Sequence, residues 1–334
     1  MTSRVGKLVR VVILLIIVAA LVAFARTVNW HDTWRAIART SPAMLAAAAV
    51  VNFLSLVLKG VRWWIFLRPI GVTSLWLAMR ATFAGAALNN ILIAQGGEAA
   101  RVIFVARSAH VPSERVLATL ALERLFELVG YVVLLALAAT FLQLPPQLEK
   151  ARPFALVALV LVVGLLVYLV RHPEKADLPA VTGEGLLGRA KAYGRSFLQT
   201  LTGISSASRF SWSLLVSVAV WALQVATYHL TAMAAHLDLP LVGTIAAMLA
   251  VNLGFAIRAT PGNVGVFQMM YAVTAAAFGL DKDAATGVAF LIQAQQILPV
   301  TLIGLLAAPQ LIFAKRRKTS RADNVLPGEP EPSA

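Results

Sequence analysis

The sequence predicts an all-α fold: a polytopic bundle of transmembrane helices that contains two broken, re-entrant helix pairs. Of its 334 residues, 59% are apolar and only 13% are charged, against about 25% charged residues in soluble domains. Because these few polar side chains could not cover the surface of a water-soluble globule of this size, part of the surface must face lipid. Apolar runs near the roughly 20 residues that cross a bilayer recur along the chain. Two other apolar runs are interrupted by glycine-containing breaks.

Six apolar runs near the required length are predicted to be simple transmembrane spans: 8–25, 43–58, 116–142, 153–170, 210–236 and 286–313. The first run follows three basic residues and ends in small residues. It is therefore either a retained helix, which its length favours, or a cleaved signal peptide. We expect residues 1–315 to form the transmembrane domain and 316–334, of which 323–334 is rich in Pro and Glu, to form a disordered cytoplasmic tail.

The two broken helix pairs are predicted at 75–110 and 241–280. In each, an apolar run carrying Asn is followed by a Gly turn and a new helix. Oppositely oriented repeats of broken helices are typical of transporters, which bind their substrate between the repeats. An inverted repeat is therefore one interpretation, and chance similarity between apolar segments is the other. The residues assigned to the breaks are Asn89, Asn90, Gly96, Gly97, Pro261, Gly262, Gly265 and Gln268.

The distribution of Lys and Arg favours one topology of the spans over the other. If 75–110 enters from the cytoplasm and returns, most of the 29 Lys and Arg residues lie on the cytoplasmic side. If 75–93 crossed fully, the basic 171–209 loop and the basic residues after 314 would lie outside, against the positive-inside rule. We therefore expect cytoplasmic N- and C-termini. Segment 241–280 satisfies the rule either as two crossings or as a hairpin from the outside.

Three ionisable residues interrupt the apolar run 116–142. Glu123, Arg124 and Glu127 would lie roughly 11–17 Å below the start of the span. At about 2.5–3.5 kcal/mol each, three charges facing lipid would nearly cancel the insertion energy of the helix. Spacings of three and four residues place them on one face, directed toward the bundle interior. They form either a salt bridge that fixes helix packing or a charged wall of a substrate cavity.

The breaks carry charges of their own. Glu98 stands at the start of the helix after Gly96-Gly97, where a negative charge suits the helix dipole, and Arg101 follows at i+3. The pair is either a helix cap with its salt-bridge mate or an anion site for a group such as a lipid phosphate. Arg258 lies deep in the membrane if its segment is re-entrant. It marks a membrane boundary if 241–257 is a full span.

These motifs, in this order and spacing, resemble the lysylphosphatidylglycerol synthase transmembrane-region family, a group of flippase-like membrane proteins. The motifs are Arg62-Trp63, Asn89 to Arg101, Glu123-Arg124, and Pro261-Gly262 through Gly265-Val266-Phe267. The resemblance implies a bundle in the bacterial inner membrane with paired re-entrant elements that translocates or handles lipids. It gives functional weight to Glu98, Arg101, Glu123, Arg124, Pro261 and Gly262.

The chain also departs from the family pattern. Gln268 stands where the family often has Glu, which argues against a proton- or cation-linked role there. No soluble domain follows Phe313, so aminoacyl-transferase activity is not expected. Stand-alone members of similar length include ones associated with hopanoid or other isoprenoid-lipid pathways.

The remaining composition excludes several functions. The chain has no cysteine, its five histidines show no metal-ligand spacing, and it has no phosphate-binding Gly-rich loop. We expect no metal, no cofactor and no enzymatic activity. The net charge of +14 is distributed between apolar runs rather than interleaved with aromatics, so nucleic acid is not an expected partner.

The leading hypothesis is a protein that translocates or handles an anionic phospholipid or an isoprenoid lipid. Its predicted lipid-binding residues are Glu98, Arg101, Glu123, Arg124, Glu127 and Arg258. The alternatives are a non-transporting membrane partner of a lipid or hopanoid biosynthesis complex and a proton-coupled transporter of small solutes. The partners considered are membrane lipids, a lipid-synthesis enzyme and a second copy of the chain.

Overall fold

The computed structural model describes residues 21–91, 96–141, 207–255 and 260–307, together with residue 19 and scattered positions between 149 and 164. Every regular element in these ranges is helical, so the predicted all-α fold is confirmed. The segment 21–27 is also helical. The main helices are α1 (Trp30–Ala38), α2 (Pro42–Leu67), α3 (Leu75–Ile91), α4 (Gly96–Ala109), α5 (Ser113–Phe141), α6 (Ala207–Ala234), α7 (Leu241–Gly254), α8 (Val266–Ala277) and α9 (Lys282–Ala307).

Three segments of the described part are long and apolar enough to cross a membrane: Pro42–Ile70, Ser211–Ala234 and Lys282–Ala307. They correspond to the predicted spans 43–58, 210–236 and 286–313. Helix α5 is also long, with 29 residues, and it carries the ionisable residues predicted inside 116–142. Most of 8–25 and 153–170, and all of the predicted tail 316–334, lie outside the described residues.

Helices α2 and α6 are neighbours that run in opposite directions. Helix α2 begins with Pro42, whose missing N–H suits a first helical turn. It continues into a short 3₁₀ turn, Arg68–Ile70, which ends at Gly71 with φ of 96°. The amide nitrogen of Ser41, just before α2, donates a hydrogen bond to the carbonyl oxygen of Ala234 at the end of α6 (2.8 Å). The start of α2 and the end of α6 therefore lie at the same face of the bundle.

Helices α3 and α4 form the first hairpin. They have 17 and 14 residues, roughly 25 and 21 Å, so neither alone crosses a hydrocarbon core of about 30 Å. The two backbones touch, because a Cβ atom on Gly97 would overlap the carbonyl oxygen of Gly85. Oδ1 of Asn89 accepts a hydrogen bond from the amide of Gly97 (3.0 Å). The chain therefore turns back here, as predicted, and 75–93 is not an uninterrupted crossing.

Helices α7 and α8 form the second hairpin. They have 14 and 12 residues, again too short to cross alone. The turn between them contains Gly262 and Gly265 with φ of 60° and 92°, a left-handed backbone that glycine adopts without strain. Asn263 closes the turn by donating a hydrogen bond from Nδ2 to the carbonyl oxygen of Gly254 (3.2 Å). Of the two possibilities left open for 241–280, the structure has the hairpin.

The two hairpins enter the bundle from opposite faces. At the near face, defined by the ends of α2, α4 and α9, Nε of Arg80 donates a hydrogen bond to the carbonyl oxygen of Ala307 (2.7 Å). At the far face, defined by the starts of α2 and α9, the amide of Asn29 donates to Oδ1 of Asp283 (3.0 Å). The first hairpin opens at the near face and the second at the far face. Their opposite orientation is what an inverted repeat requires.

The tips of the hairpins meet within the bundle, and α9 holds both. Gly262 of the second hairpin lies against the carbonyl oxygen of Asn90 in the first. Nδ2 of Asn90 lies 3.1 Å from Oγ1 of Thr301 on α9 and donates to it. Pro299 stands inside α9 between the residues that contact the two tips. The carbonyl oxygen of Gln295, four residues before that proline, accepts a hydrogen bond from Nδ2 of Asn52 on α2 (3.0 Å), which replaces the backbone bond that proline cannot make.

Replacing Gly97 with Ala is expected to force α3 and α4 apart and to destabilise the protein by about 1–3 kcal/mol, the usual cost of overpacking. Gly164→Ala is the matched control, because no atom of a described residue lies within 4 Å of a Cβ placed there. Thermal unfolding of both purified variants in detergent measures the difference. Equal midpoints for the two variants would show that the hairpin does not depend on this close approach.

Candidate functional site

Helices α2, α4 and α5 bring together a group of ionisable side chains. On α5, Glu123 lies ten residues after Ser113, roughly 15 Å along the helix. All members belong to helices of the transmembrane bundle rather than to its loops. This charge cluster consists of Lys59, Arg62, Glu98, Arg101, Glu123, Arg124 and Glu127.

Glu123 is the buried centre of the charge cluster, with 4% of the residue exposed. Its Oε2 forms an ion pair with Nη2 of Arg101, and its Oε1 lies 3.7 Å from Nη2 of Arg62. The guanidinium of Arg101 stacks on the ring of Trp63, 3.9 Å from its centroid. The indole of Trp63 in turn donates a hydrogen bond to Oγ1 of Thr119 (3.0 Å). One buried carboxylate is thus shared by two buried arginines, whose orientation is fixed by packing.

Glu127 links the buried centre to the open side of the cluster. Its Oε1 accepts a hydrogen bond from Nη2 of Arg62 (3.1 Å), and its Oε2 accepts one from Nη1 of Arg124 (2.5 Å). Nη2 of Arg124 also pairs with Oε1 of Glu98 on α4. The side chain of Arg124 is 50% exposed, whereas that of Arg62 is fully buried. The cluster therefore runs from a buried carboxylate to an accessible cation.

The ion pairs agree with one pair that the residue spacing predicts and differ from another. The Arg124–Glu127 pair that the spacing predicts is present on α5. The partners of Glu98 and Arg101 lie on α5, since Glu98 pairs with Arg124 and Arg101 pairs with Glu123. The i, i+3 spacing alone had instead indicated a pair within α4. Arg258 lies outside the described residues.

Lys59 and Arg62 belong to the site, although the sequence analysis did not assign them to it. The predicted span 43–58 stops short of them, but α2 continues to Leu67. A signal was available in the polar residues of this helix. Asn52, Ser55, Lys59 and Arg62 recur at spacings of three and four residues, which is the pattern of one helix face. All of them line a single cavity.

A cavity of about 690 Å³ lies beside the charge cluster, within the size range of small-molecule sites. The charged residues of its lining are Lys59, Arg62, Arg124 and Glu127. Leu128 and Leu253, which also line the cavity, are 49% and 61% exposed, so part of its wall is apolar and accessible. The rest of the wall carries uncharged polar and aromatic side chains: Asn52, Ser55, Asn90, Tyr131, Trp221, Gln224, Tyr228, Asn252 and Gln296.

The residues predicted at the second break shape the hairpin tip. Gln268, which is buried, accepts a hydrogen bond from the amide of Gly265 at Oε1 (2.7 Å) and donates one from Nε2 to Oε1 of Gln293 (2.6 Å). Gln293 then donates from Nε2 to the carbonyl oxygen of Gly262 (2.8 Å), and Pro261 begins the turn. An amide at position 268 both accepts and donates, which a carboxylate cannot do. The neutral Gln268–Gln293 pair therefore holds the tip against α9.

Replacing Glu123 with Gln is expected to leave Arg62 and Arg101 short of a buried counter-charge. Removing one partner of a buried ion pair costs about 3–5 kcal/mol. Asp32→Asn is the control, because Asp32 forms an exposed pair with Arg35 (3.3 Å) and such pairs contribute at most about 1 kcal/mol. Unfolding measurements that give similar losses for both variants would contradict a structural role for Glu123.

Comparison with known proteins agrees with this architecture. The family model described as the lysylphosphatidylglycerol synthase TM region matches residues 9–304. A curated relative, named glycosyltransferase AglD, from Haloferax volcanii, is 25% identical in an alignment of length 326, and the match covers 87% of this chain and 52% of the relative. The chain therefore spans about half the length of that relative. With its opposed hairpins, its apolar spans and a family match over most of its length, the chain is an integral membrane protein of the lysylphosphatidylglycerol synthase transmembrane-region family.

Proposed function

We propose that the protein binds a membrane lipid by its headgroup and carries that headgroup through the hydrophobic core while the tails stay in the bilayer. The observation that supports this most is the cavity itself. Its lining combines charged side chains, uncharged polar side chains and accessible apolar side chains of the helical bundle. A lipid has the same distribution of chemistry, with a polar head attached to apolar tails.

The charge cluster supplies the physical basis for carrying a polar headgroup. Moving a charged group through hydrocarbon is costly because the group loses its hydration. Arginine guanidinium groups replace part of that hydration and match phosphate oxygens in geometry. Arg124 is the exposed cation of the cluster, and we assign it the first contact with an entering headgroup.

The opposed hairpins supply a basis for changing access. Asn90 at the tip of the first hairpin and Asn252 and Phe255 at the tip of the second all line the cavity. Displacement of either hairpin tip would change the part of the cavity wall that this tip forms. We propose that such displacements expose the cavity to the two faces in turn, as in other membrane proteins built from broken helices.

The same proposal covers location and chemistry. We place the protein in a bacterial inner membrane with its near face and both termini in the cytoplasm, following the distribution of Lys and Arg. We propose that it acts by binding and movement rather than by catalysis.

A second candidate function is presentation of a lipid to a lipid-modifying enzyme without translocation. The observation that favours it is the match to about half of a relative named as a glycosyltransferase. Both candidate functions require headgroup binding in the cavity. Only the first requires that the headgroup crosses the membrane.

Occupancy of the cavity is measurable because the chain contains no cysteine. Gln224→Cys places a unique thiol on the cavity wall, and lipid in the cavity is expected to slow its reaction with a small maleimide several-fold. Ser108→Cys, at an exposed position of α4 outside the cavity lining, is the control and should react at the same rate with and without lipid. Equal rates at position 224 with and without lipid would contradict binding in the cavity.

Translocation is measured in proteoliposomes that contain fluorescent phosphatidylglycerol, whose outer-leaflet fraction is bleached by dithionite. The intact protein should expose inner-leaflet lipid to bleaching, and Arg124→Gln should slow that step about tenfold, since one charge-assisted contact contributes about 1.5–3 kcal/mol. Arg115→Gln, on the exposed start of α5, should leave the rate unchanged. Cavity protection without any bleaching of inner-leaflet lipid would favour the presentation role instead.

A further inference from the structure

The charge cluster contains one more cation than it has carboxylates. Lys59, Arg62, Arg101 and Arg124 are balanced by Glu98, Glu123 and Glu127. Each of the three arginines lies within 4 Å of a carboxylate oxygen. Within the residues that the structure describes, Lys59 has no such partner. A single positive charge therefore remains in the cavity wall.

Lys59 is placed to meet a ligand. It stands on α2 one helical turn before Arg62, on the face that also carries Asn52 and Ser55, and all four line the cavity. The residue is half-buried, so the ammonium loses part of its hydration without gaining an ion pair. Partly desolvated cations in a membrane bundle are stabilised by an anion.

The wall beyond Lys59 offers acceptors without charge. Asn52 and Asn252 each donate from Nδ2 to a backbone carbonyl, that of Gln295 and that of Met248 respectively. A carbonyl can only accept, so these bonds fix the orientation of both amides. The Oδ1 atoms of Asn52 and Asn252 accept no hydrogen bond from any described residue. Free acceptor oxygens are complementary to hydroxyl groups.

We infer that the headgroup taken by this cavity is a monoanionic phosphodiester that carries hydroxyl groups, such as a glycerol or sugar phosphodiester, and that Lys59 selects for its charge. The inference rests on the proposed function, because it assumes that a lipid headgroup enters the cavity. The phosphodiester charge neutralises Lys59, and the hydroxyl groups donate to Asn52 and Asn252. A zwitterionic headgroup fits less well, because Glu127, the carboxylate of the cavity wall, already pairs with Arg62 and Arg124.

Protection of a thiol at position 224 from maleimide, in the Gln224→Cys background, tests the inference with defined lipids. The probes are phosphatidylglycerol and phosphatidylinositol, which are monoanionic and hydroxylated, phosphatidylmethanol, which is monoanionic without a free hydroxyl, and phosphatidylcholine, which is zwitterionic. Phosphatidylglycerol or phosphatidylinositol should half-protect the thiol at about a tenfold lower concentration than phosphatidylcholine. The concentration of phosphatidylmethanol that half-protects the thiol should lie between the values for the hydroxylated lipids and for phosphatidylcholine. A preference for one of the two hydroxylated lipids would show whether glycerol or a ring polyol is the better source of the hydroxyl groups.

Variants at position 59 test whether Lys59 causes the preference for anionic headgroups. Lys59→Met should weaken protection by phosphatidylglycerol about tenfold and leave phosphatidylcholine unchanged, whereas Lys59→Arg should keep the selectivity. Arg115→Met, which removes a cation from an exposed position outside the cavity, should have no effect. If Lys59→Met does not fold, the selectivity of the parent protein among the four lipids still decides the ligand class.

The outcomes distinguish failure of the inference about the headgroup from failure of the proposed function. Equal protection by phosphatidylcholine and phosphatidylglycerol would overturn the inference while leaving lipid binding intact. A folded Lys59→Met variant with unchanged selectivity would overturn the role of Lys59. Protection by none of the four lipids would overturn the proposed function and the inference that rests on it.

Discussion

The structure depends on the pairing of buried charges around Glu123. A carboxylate that is almost fully buried among transmembrane helices has lost its hydration, and two arginines from two other helices replace it. Arg62 brings α2 to this point and Arg101 brings α4, so one anion fixes the relative position of three helices. The same arginines keep the cavity wall charged. Packing and recognition therefore depend on the same ion pairs, which is why a loss of either partner affects both.

The second constraint is the backbone of the two hairpins. Helix ends inside a membrane protein expose N–H and C=O groups that lipid cannot satisfy. Each tip solves this with amide side chains: Asn89 accepts from Gly97 in the first hairpin, and the Gln268–Gln293 pair contacts Gly265 and Gly262 in the second. Amides suit this position because they satisfy donors and acceptors without adding charge. The tips can therefore meet at the cavity without disturbing the charge cluster.

Much of this architecture was predictable from the sequence. The low charge content and the apolar runs predict the helical membrane bundle, and glycines beside Asn predict both breaks. The distribution of Lys and Arg predicts that the first hairpin enters from the cytoplasm, but it fits 241–280 either as two crossings or as a hairpin from the outside. The site was harder to predict, because Lys59 and Arg62 look like residues at the end of a span, and only the continuation of α2 brings them inside. The pairing of Arg101 with Glu123 depends on how α4 packs against α5, which the i, i+3 spacing on α4 does not report.

Pro299 removes one backbone hydrogen bond from α9 between the residues that contact the two hairpins. Gln293 contacts the second hairpin on one side of the proline, and Thr301 contacts the first hairpin on the other. Because Asn52 supplies the hydrogen bond that the proline lacks, the rigidity of this joint depends on a side chain that also faces the cavity. A molecule that engages the free oxygen of Asn52 polarises the same amide group. Asn52 therefore joins the contact between α2 and α9 to the wall of the cavity through one amide group.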